Sequence, residues 1–252
     1  MAESRTAVRG APGERDGTPL LAATDVIRTY PGRVGVTAVR GASLELRRRD
    51  FVALMGPSGS GKTTFLGLLS GLDRPDKGEV RWHGTPVRAL SAEAGMEVRR
   101  RGMGIVFQSF GLLPALSAVE NAELPLRVSG GSPKEARARA LEWLERLGLA
   151  DRVHNRTFEL SAGQQQRVAV ARALITEPDV VLADEPIAEV DTENADLILE
   201  ALWEVVRKGG AVLAATHNPE VLRYANRVVL FRDGMVEAEG SPSELASRIT
   251  TD

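Results

Sequence analysis

The chain has 252 residues, 43% of them hydrophobic, which is enough for one large α/β domain or a core domain with an inserted subdomain, and too apolar for a disordered chain. A formal net charge of −2 and a pI near 6.0 give no global pull toward nucleic acid or an anionic membrane, so no nucleic-acid partner is expected. The absence of cysteine excludes a disulfide framework, thiol catalysis and thiolate metal sites, and charges interrupt every hydrophobic run before it is long enough to cross a bilayer.

Residues 1–18, MAESRTAVRGAPGERDGT, mix Gly, Pro and both charge signs with almost nothing large and apolar, and are expected to be a flexible tail ahead of a domain over residues 19–252. LLAATDVIRTY and VTAVRGASLEL alternate apolar and polar positions around PGRVG, which predicts an antiparallel hairpin. FVALM, GIVF, VVLAD and AVLAAT are short continuous apolar runs, as expected of strands buried on both faces of a mainly parallel sheet. Strand signals vanish between Ser109 and Ser161, and a helical subdomain inserted over about residues 109–170 is expected. Within it, residues 133–149 predict a helix with Ala140, Leu141, Leu144 and Leu147 along one face, Pro133 near its start and Gly148 near its end. NRVVLFRDGMVEAEG reads as two strands around an Asp-Gly turn, followed by a short helix from Ser241 with Glu244 as capping-box partner. The basic runs Arg47–Arg49 and Arg99–Arg101 read as solvated element ends.

Chemistry concentrates in three places. Gly56, Pro57, Ser58, Gly59, Ser60, Gly61, Lys62, Thr63 and Thr64 form a G-x-x-x-x-G-K-[ST] string between the run ending at Met55 and the helix-patterned FLGLL. Glycines there let successive N–H groups turn inward on a polyphosphate, and the following helix directs its positive end at the anion. This predicts a nucleoside triphosphate site in which Lys62 reaches the β- and γ-phosphates and Thr63 gives a hydroxyl to Mg²⁺. VVLADEP ends an apolar strand in two adjacent carboxylates at the sheet edge where open α/β folds present their sites. Asp184 is placed for the Mg²⁺ shell, and Glu185 is the candidate base or water-positioning group. The third place is LSAGQQQR, residues 160–167, where Ser161, Ala162 and Gly163 leave N–H groups exposed at a helix start and make a second anion-binding end. An ordinary N-cap would look the same in isolation.

Taken together, these motifs resemble the nucleotide-binding subunit of an ABC transporter, from about Leu20 to the C-terminal helix. That resemblance implies a P-loop NTPase core with a mainly parallel sheet, an N-terminal antiparallel β subdomain and an inserted helical subdomain, using ATP and Mg²⁺. It also implies that Ser161, Gly163 and Gln164 contact the γ-phosphate region of ATP held by a partner subunit, so that two copies close head to tail over two shared sites. Gln108, in IVFQSF, is similar to the family's Q-loop glutamine, which would touch Mg²⁺ or the attacking water. His217, in LAATHNPE, resembles the switch histidine near the γ-phosphate, Tyr30 the aromatic that stacks on adenine, and Asp191 the D-loop aspartate at the dimer interface. On this likeness the catalytic set is Lys62, Gln108, Glu185 and His217, and the metal set is Thr63, Gln108 and Asp184.

Two positions depart from the family pattern. Ala162 replaces the usual glycine and adds a methyl where backbone approaches phosphate, and Glu189 puts a negative charge in the IAEVD loop, where small or neutral residues are usual. Neither removes Lys62, Asp184, Glu185 or His217, so a competent ATPase is expected.

IVFQSFGLLPALSAVENAELPL, residues 105–126, and VTAVRGASLEL are similar to the lipoprotein-release and macrolide-efflux group. The likeness implies a separate transmembrane permease as partner, with Phe107, Phe110, Leu112 and Leu113 at the surface that receives it, unless they pack internally. The expected place of the subunit is peripheral, on the cytoplasmic face of the membrane, in export of a lipophilic compound, peptide or lipoprotein. A regulatory or mechanotransmitting role in a cell-division or sensing complex would leave the same motifs. The chain is too short for the paired cassettes of ribosome-acting relatives or the coiled-coil insertion of chromosome-handling ones.

Overall fold

The computed structural model describes residues 17–32 and 35–249. The tail expected over residues 1–18 therefore lies outside the described residues except for its last two, as do Arg33 and Val34 of the predicted turn. The elements in chain order are β1 (Leu21–Tyr30), β2 (Val36–Leu46), β3 (Phe51–Met55), α1 (Lys62–Leu69), β4 (Lys77–Trp82), β5 (Thr85–Pro86), α2 (Ala92–Glu97) and β6 (Met103–Val106). Three helices follow, α3 (Ala118–Val128), α4 (Pro133–Arg146) and α5 (Ala162–Leu174). The chain then returns through β7 (Val180–Asp184), α6 (Thr192–Arg207), β8 (Ala211–Thr216), β9 (Arg227–Arg232), β10 (Met235–Gly240) and α7 (Ala246–Ile249).

Two sheets form. β1 and β2 make the antiparallel hairpin that their alternation predicts, in a four-stranded sheet of order β2-β1-β4-β5. The apolar runs build a six-stranded sheet of order β10-β9-β3-β8-β7-β6, parallel at every pairing except β9–β10. Because successive strand residues point to opposite faces, Phe51, Ala53 and Met55 join a core with α3 to α6, while Val52 and Leu54 join a second core with α1 and the antiparallel sheet. Burial on both faces is why these strands read as continuous rather than alternating apolar runs.

The three-helix segment between β6 and β7 follows the predicted insertion. In α4 the buried stripe is Ala136, Ala140 and Leu144, continued by Leu147 just past its end; Leu141, expected on that face, is 38% exposed. One residue past Ala140 is about 100° around a helix, and Trp143 occupies the inward position instead. Gly148 has φ of +69° and ends α4, with its amide donating to the Glu145 carbonyl and the Leu149 amide to that of Leu144, so both orphan carbonyls are satisfied. At the other end of the chain the Ser241–Glu244 capping bonds form, yet the helix itself begins only at Ala246. Ser241 and Ser243 hydroxyls bond each other at 3.0 Å, and such local side-chain bonds compete with helix initiation.

Candidate active site

Parallel strands end at one edge, and the register decides what meets there. Met55 of β3 pairs with Thr216 of β8, Asp184 of β7 with Ala215, and Val106 of β6 with Ala183. The segments that follow these strand ends are the glycine-rich loop, Glu185, His217 and Gln108, so four separate sequence motifs are delivered to one edge. A cleft of about 250 Å³ is lined there by Ala38, Ser58, Gly59, Gly61, Lys62, Thr63, Thr64, Gln108, Asp184 and Glu185. A larger cavity of about 530 Å³ lies beside the loop, against Gly56, His217 and the residues of α7, but the convergent charged groups line the smaller cleft.

The glycines are required by close packing as well as by access to phosphate. A Cβ on Gly56 would sit 2.0 Å from the Phe231 carbonyl oxygen, and one on Gly61, whose φ is +102°, would sit 2.2 Å from that of Ala38. The loop is thus wedged between β9 and β2. Ser60 sends its carbonyl to the Gly234 amide at 2.9 Å, while its hydroxyl is buried and finds no partner among the described residues. Lys62 is 7% exposed and donates from Nζ to the Gly56 and Pro57 carbonyls at 2.6 and 3.0 Å. Burial lowers its pKa, opposed by the nearby Glu185 and Asp184 carboxylates.

Across the cleft the Thr63 hydroxyl donates to Asp184 Oδ2 at 2.7 Å. Burial raises the Asp184 carboxyl, and the neighbouring Glu185 adds to that, against the Thr63 hydrogen bond and the Lys62 charge. Glu185 itself sits at φ of +47°, a left-handed backbone that costs a non-glycine residue about 1 kcal/mol or more. That turn points its carboxylate at β8: Oε2 accepts from the Thr216 hydroxyl at 2.7 Å, and Oε1 lies 2.8 Å from His217 Nδ1. Thr216, fully buried, also accepts from the Asn218 amide at 2.9 Å and is therefore fixed in rotation. Sequence reading passed over Thr216, although a hydroxyl residue at the end of an apolar strand beside the histidine was its signal.

The remaining candidates lie elsewhere in the chain. Tyr30, at the end of β1, is exposed, and its hydroxyl donates to Asp73. Ser161 caps α5, exchanging bonds with Gln164: its hydroxyl accepts from the Gln164 amide at 3.3 Å and its own amide donates to Gln164 Oε1 at 2.9 Å. Asp191 caps α6 by accepting from the backbone and side-chain amides of Asn194, and these bonds chiefly hold its carboxyl below the usual range. Gly163 packs on the loop ahead of α6, where a Cβ would come 2.7 Å from the Glu189 carbonyl oxygen. Ser161, Gly163, Gln164 and Asp191 are not among the residues lining the glycine-loop cleft, so the two motif-bearing helix starts lie apart in one chain.

The stretch after Gln108 is strung to the helices by side chains the motifs do not reveal. Phe110 and Gly111 both have positive φ, +62° and +60°, and their carbonyls accept from the guanidinium of Arg172 on α5. Burial pushes that guanidinium below its usual pKa. Asn121 of α3, fully buried, takes the Leu113 amide and gives its own amide protons to the Leu113, Leu116 and Ser117 carbonyls. Leu112 packs inward on the main core, whereas Phe107 and Leu113 stay exposed.

The ABC transporter family matches residues 39–188 of the chain. The macrolide export ATP-binding/permease protein MacB of Chlorobium luteolum is 45% identical over 223 residues, covering 88% of this chain and 33% of that protein. The lipoprotein-releasing system ATP-binding protein LolD of Maricaulis maris is 46% identical over 209 residues, covering 82% of this chain and 91% of that protein. The chain thus spans about a third of the macrolide-export relatives it matches and about nine-tenths of the lipoprotein-releasing ones. A dimeric structure of a post-hydrolysis state of the ATP-binding cassette MJ0796, bound to ADP and Pi, aligns with a TM-score of 0.83 at 37% identity, covering 88% of this chain and 98% of that one. Both the sequence relationship and the superposition run through the glycine loop, the helical segment and the strands that bring them together, and the chain belongs to the ABC transporter family, as an ATP-binding subunit of the lipoprotein-release and macrolide-efflux group.

Proposed function

We propose that the chain binds and hydrolyses ATP with Mg²⁺, closes head to tail on a second cassette, an identical copy by preference, and thereby drives a transmembrane permease that exports a lipophilic compound, peptide or lipoprotein. It works on the cytoplasmic face of the membrane as a peripheral subunit; no described helix is long and apolar enough to cross a bilayer. The observation that carries the reading is the convergence of Lys62, Thr63, Gln108, Asp184 and Glu185 on one cleft, with His217 bonded to Glu185.

The donor set fits Mg²⁺. Among the described residues no cluster of three or more His, Cys, Asp or Glu offers a protein-only cage. Mg²⁺ instead takes one or two protein oxygens, several waters and the substrate's phosphates, which suits Thr63 Oγ1 and Asp184 Oδ2 with Gln108 beside them. When bound, the ion draws charge from the β- and γ-phosphate oxygens. Lys62 exchanges two backbone carbonyls for phosphate oxygens, and the loop amides and the orphaned Ser60 hydroxyl complete the cradle.

Thr216 and His217 hold both oxygens of Glu185, so its carboxylate orients the attacking water and takes its proton from a fixed position. A carboxylate oxygen only accepts, so the contact with Glu185 places a ring proton of His217 on Nδ1 and turns Nε2 away from Glu185. Ser161, Gly163 and Gln164 of the partner copy close over the γ-phosphate, with Asp191 at the interface, and adenine stacks on Tyr30. Ala162 and Glu189, both exposed, lie on this closing face and tune affinity and rate.

The test is light scattering of Glu185→Gln protein with and without Mg-ATP, with Ser161→Arg in the same background, alongside steady-state hydrolysis. Glu185→Gln is expected to slow turnover by about 10²–10⁴-fold while retaining ATP, and to dimerise only with ATP and an intact Ser161. Near-normal turnover would refute the role of Glu185, and a monomer at saturating ATP would refute closure of two isolated copies.

A further inference from the structure

A heavily tied, partly exposed cluster lies outside the cleft, where β1 ends against the loop that follows α1. Arg28 grips Asp73 with two parallel bonds, Nε to Oδ2 at 2.9 Å and Nη2 to Oδ1 at 2.8 Å, and reaches Asp76 Oδ1 with Nη1 at 2.9 Å. Asp76 in turn takes the Thr29 amide at 2.6 Å and gives its own amide to the Ile27 carbonyl at 2.8 Å. Single exposed ion pairs contribute little, but a two-pronged arginine–carboxylate grip inside a network is the arrangement that holds geometry. Tyr30 is held on two sides by this cluster. Its hydroxyl donates to Asp73 Oδ2 at 2.8 Å, and the Arg28 guanidinium carbon lies 4.8 Å from its ring centroid, within cation–π range. Burial alone would raise the Asp73 carboxyl; hydrogen bonds from Tyr30, the Arg74 amide and Arg28 outweigh it and keep it below the usual range, so it remains an acceptor.

Tyr30 nonetheless stays 39% exposed. Its partner across the hairpin is Val36, 63% exposed, and Ala38, two residues along β2, lines the phosphate cleft. Two strand residues span about 6.6 Å, the scale of the sugar between a base and its phosphates.

We infer that Asp73 and Arg28 are positioning residues that fix the plane of the Tyr30 ring before nucleotide arrives, leaving its exposed side as a ready platform for adenine. The inference rests on the reading of Tyr30 as the adenine-stacking residue. A surface tyrosine that must be ordered by its ligand loses affinity to that ordering, and one already pinned at hydroxyl and face does not. The loop 73–76 thereby acts on the base end of the nucleotide alone, leaving the grip on the phosphates to the glycine loop.

Calorimetric titration of the full chain with ATP and, separately, with inorganic tripolyphosphate tests this. Tyr30→Ala is expected to weaken ATP by about 5- to 100-fold, the range of one base–aromatic stack, and to leave tripolyphosphate unchanged. Asp73→Ala and Tyr30→Phe are each expected to weaken ATP by about three- to tenfold, the scale of one hydrogen bond, again sparing tripolyphosphate. The double variant is expected to bind ATP within about twofold of Tyr30→Phe, because both changes break the same link. Normal ATP binding by Asp73→Ala and Tyr30→Phe, with loss in Tyr30→Ala, would overturn the positioning role while the stacking survives. Normal binding by Tyr30→Ala would remove the stacking reading itself. An equal loss of ATP and tripolyphosphate in Asp73→Ala would show a merely structural tie and overturn the inference; if that variant does not fold, Tyr30→Phe alone decides by the same comparison.

Discussion

Replacing Gly163 by alanine sets two physical effects against each other. The residue lies in the first turn of α5 with an ordinary negative φ, so on backbone propensity alone alanine is the better helix residue, by about 0.5–1 kcal/mol. Against this, the added Cβ would lie 2.7 Å from the Glu189 carbonyl oxygen and 3.1 Å from Val190 Cγ1. The nearer obstacle is backbone, not a side-chain tip that can swing aside, so the loop ahead of α6 must retreat by several tenths of an ångström. Overpacking of that kind costs about 1–3 kcal/mol, which exceeds the propensity gain and leaves a net loss of about 1 kcal/mol. For a domain of this size that lowers the Tm by about 2–4 °C, measurable by calorimetry. Because the displaced loop ends at Asp191, ATP-dependent dimerisation in the Glu185→Gln background is expected to weaken as well. A Gly163→Ala protein with unchanged or raised Tm would show that the loop yields freely and would refute the packing argument.

Thr216→Val keeps shape but removes the hydroxyl that bonds Glu185 and the Asn218 amide; the loss is expected to be about 1–3 kcal/mol in denaturant titration, with turnover reduced about tenfold or more. Asp184→Asn is expected to stabilise the nucleotide-free chain at neutral pH by about 0.5–2 kcal/mol while abolishing Mg²⁺-dependent hydrolysis. The sign follows from the raised carboxyl: the folded state holds that proton more tightly than the unfolded one, so stability drops as pH rises from the ordinary aspartate range through the raised folded value, and the advantage of asparagine fades as pH falls below that window. Lys62→Ala is expected to lower ATP affinity at least tenfold by calorimetry, since the loop loses its only reaching cation. Arg172→Met leaves the Phe110 and Gly111 carbonyls without their donor and is expected to cost about 1–3 kcal/mol in thermal unfolding.

What the sequence reveals is whatever depends on local chemistry. The glycine string, the strand-terminal Asp184 and Glu185, and the Ser161 cap announce themselves because each motif's neighbours in sequence are its neighbours in space. Continuous apolar runs likewise announce buried parallel strands. Leu141 was misplaced because a hydrophobic residue one step from a stripe looks the same in sequence whether it points in or out, and only the width of the packed face decides. Thr216 and Asn121 were missed because Glu185 lies 31 residues from Thr216, the partners of Asn121 lie up to 8 residues away, and polar atoms reaching them leave no periodicity. The packing of Gly163 against the Glu189 carbonyl is a further contact that no local motif announces. The pinning of Tyr30 by Asp73 spans 43 residues and two elements, and no spacing rule connects them.

Arg172 makes the turn after Gln108 legible to a distant part of the protein. Its half-buried cation is answered by two backbone carbonyls, those of Phe110 and Gly111 in their left-handed conformation. If that turn relaxes, the guanidinium loses both protein acceptors, which links the conformation of the turn to α5. With 13 residues, α5 is a rod about 20 Å long, with Arg172 near one end and Ser161 capping the other. The turn after Gln108 and the Ser161 cap are therefore tied to opposite ends of one helix.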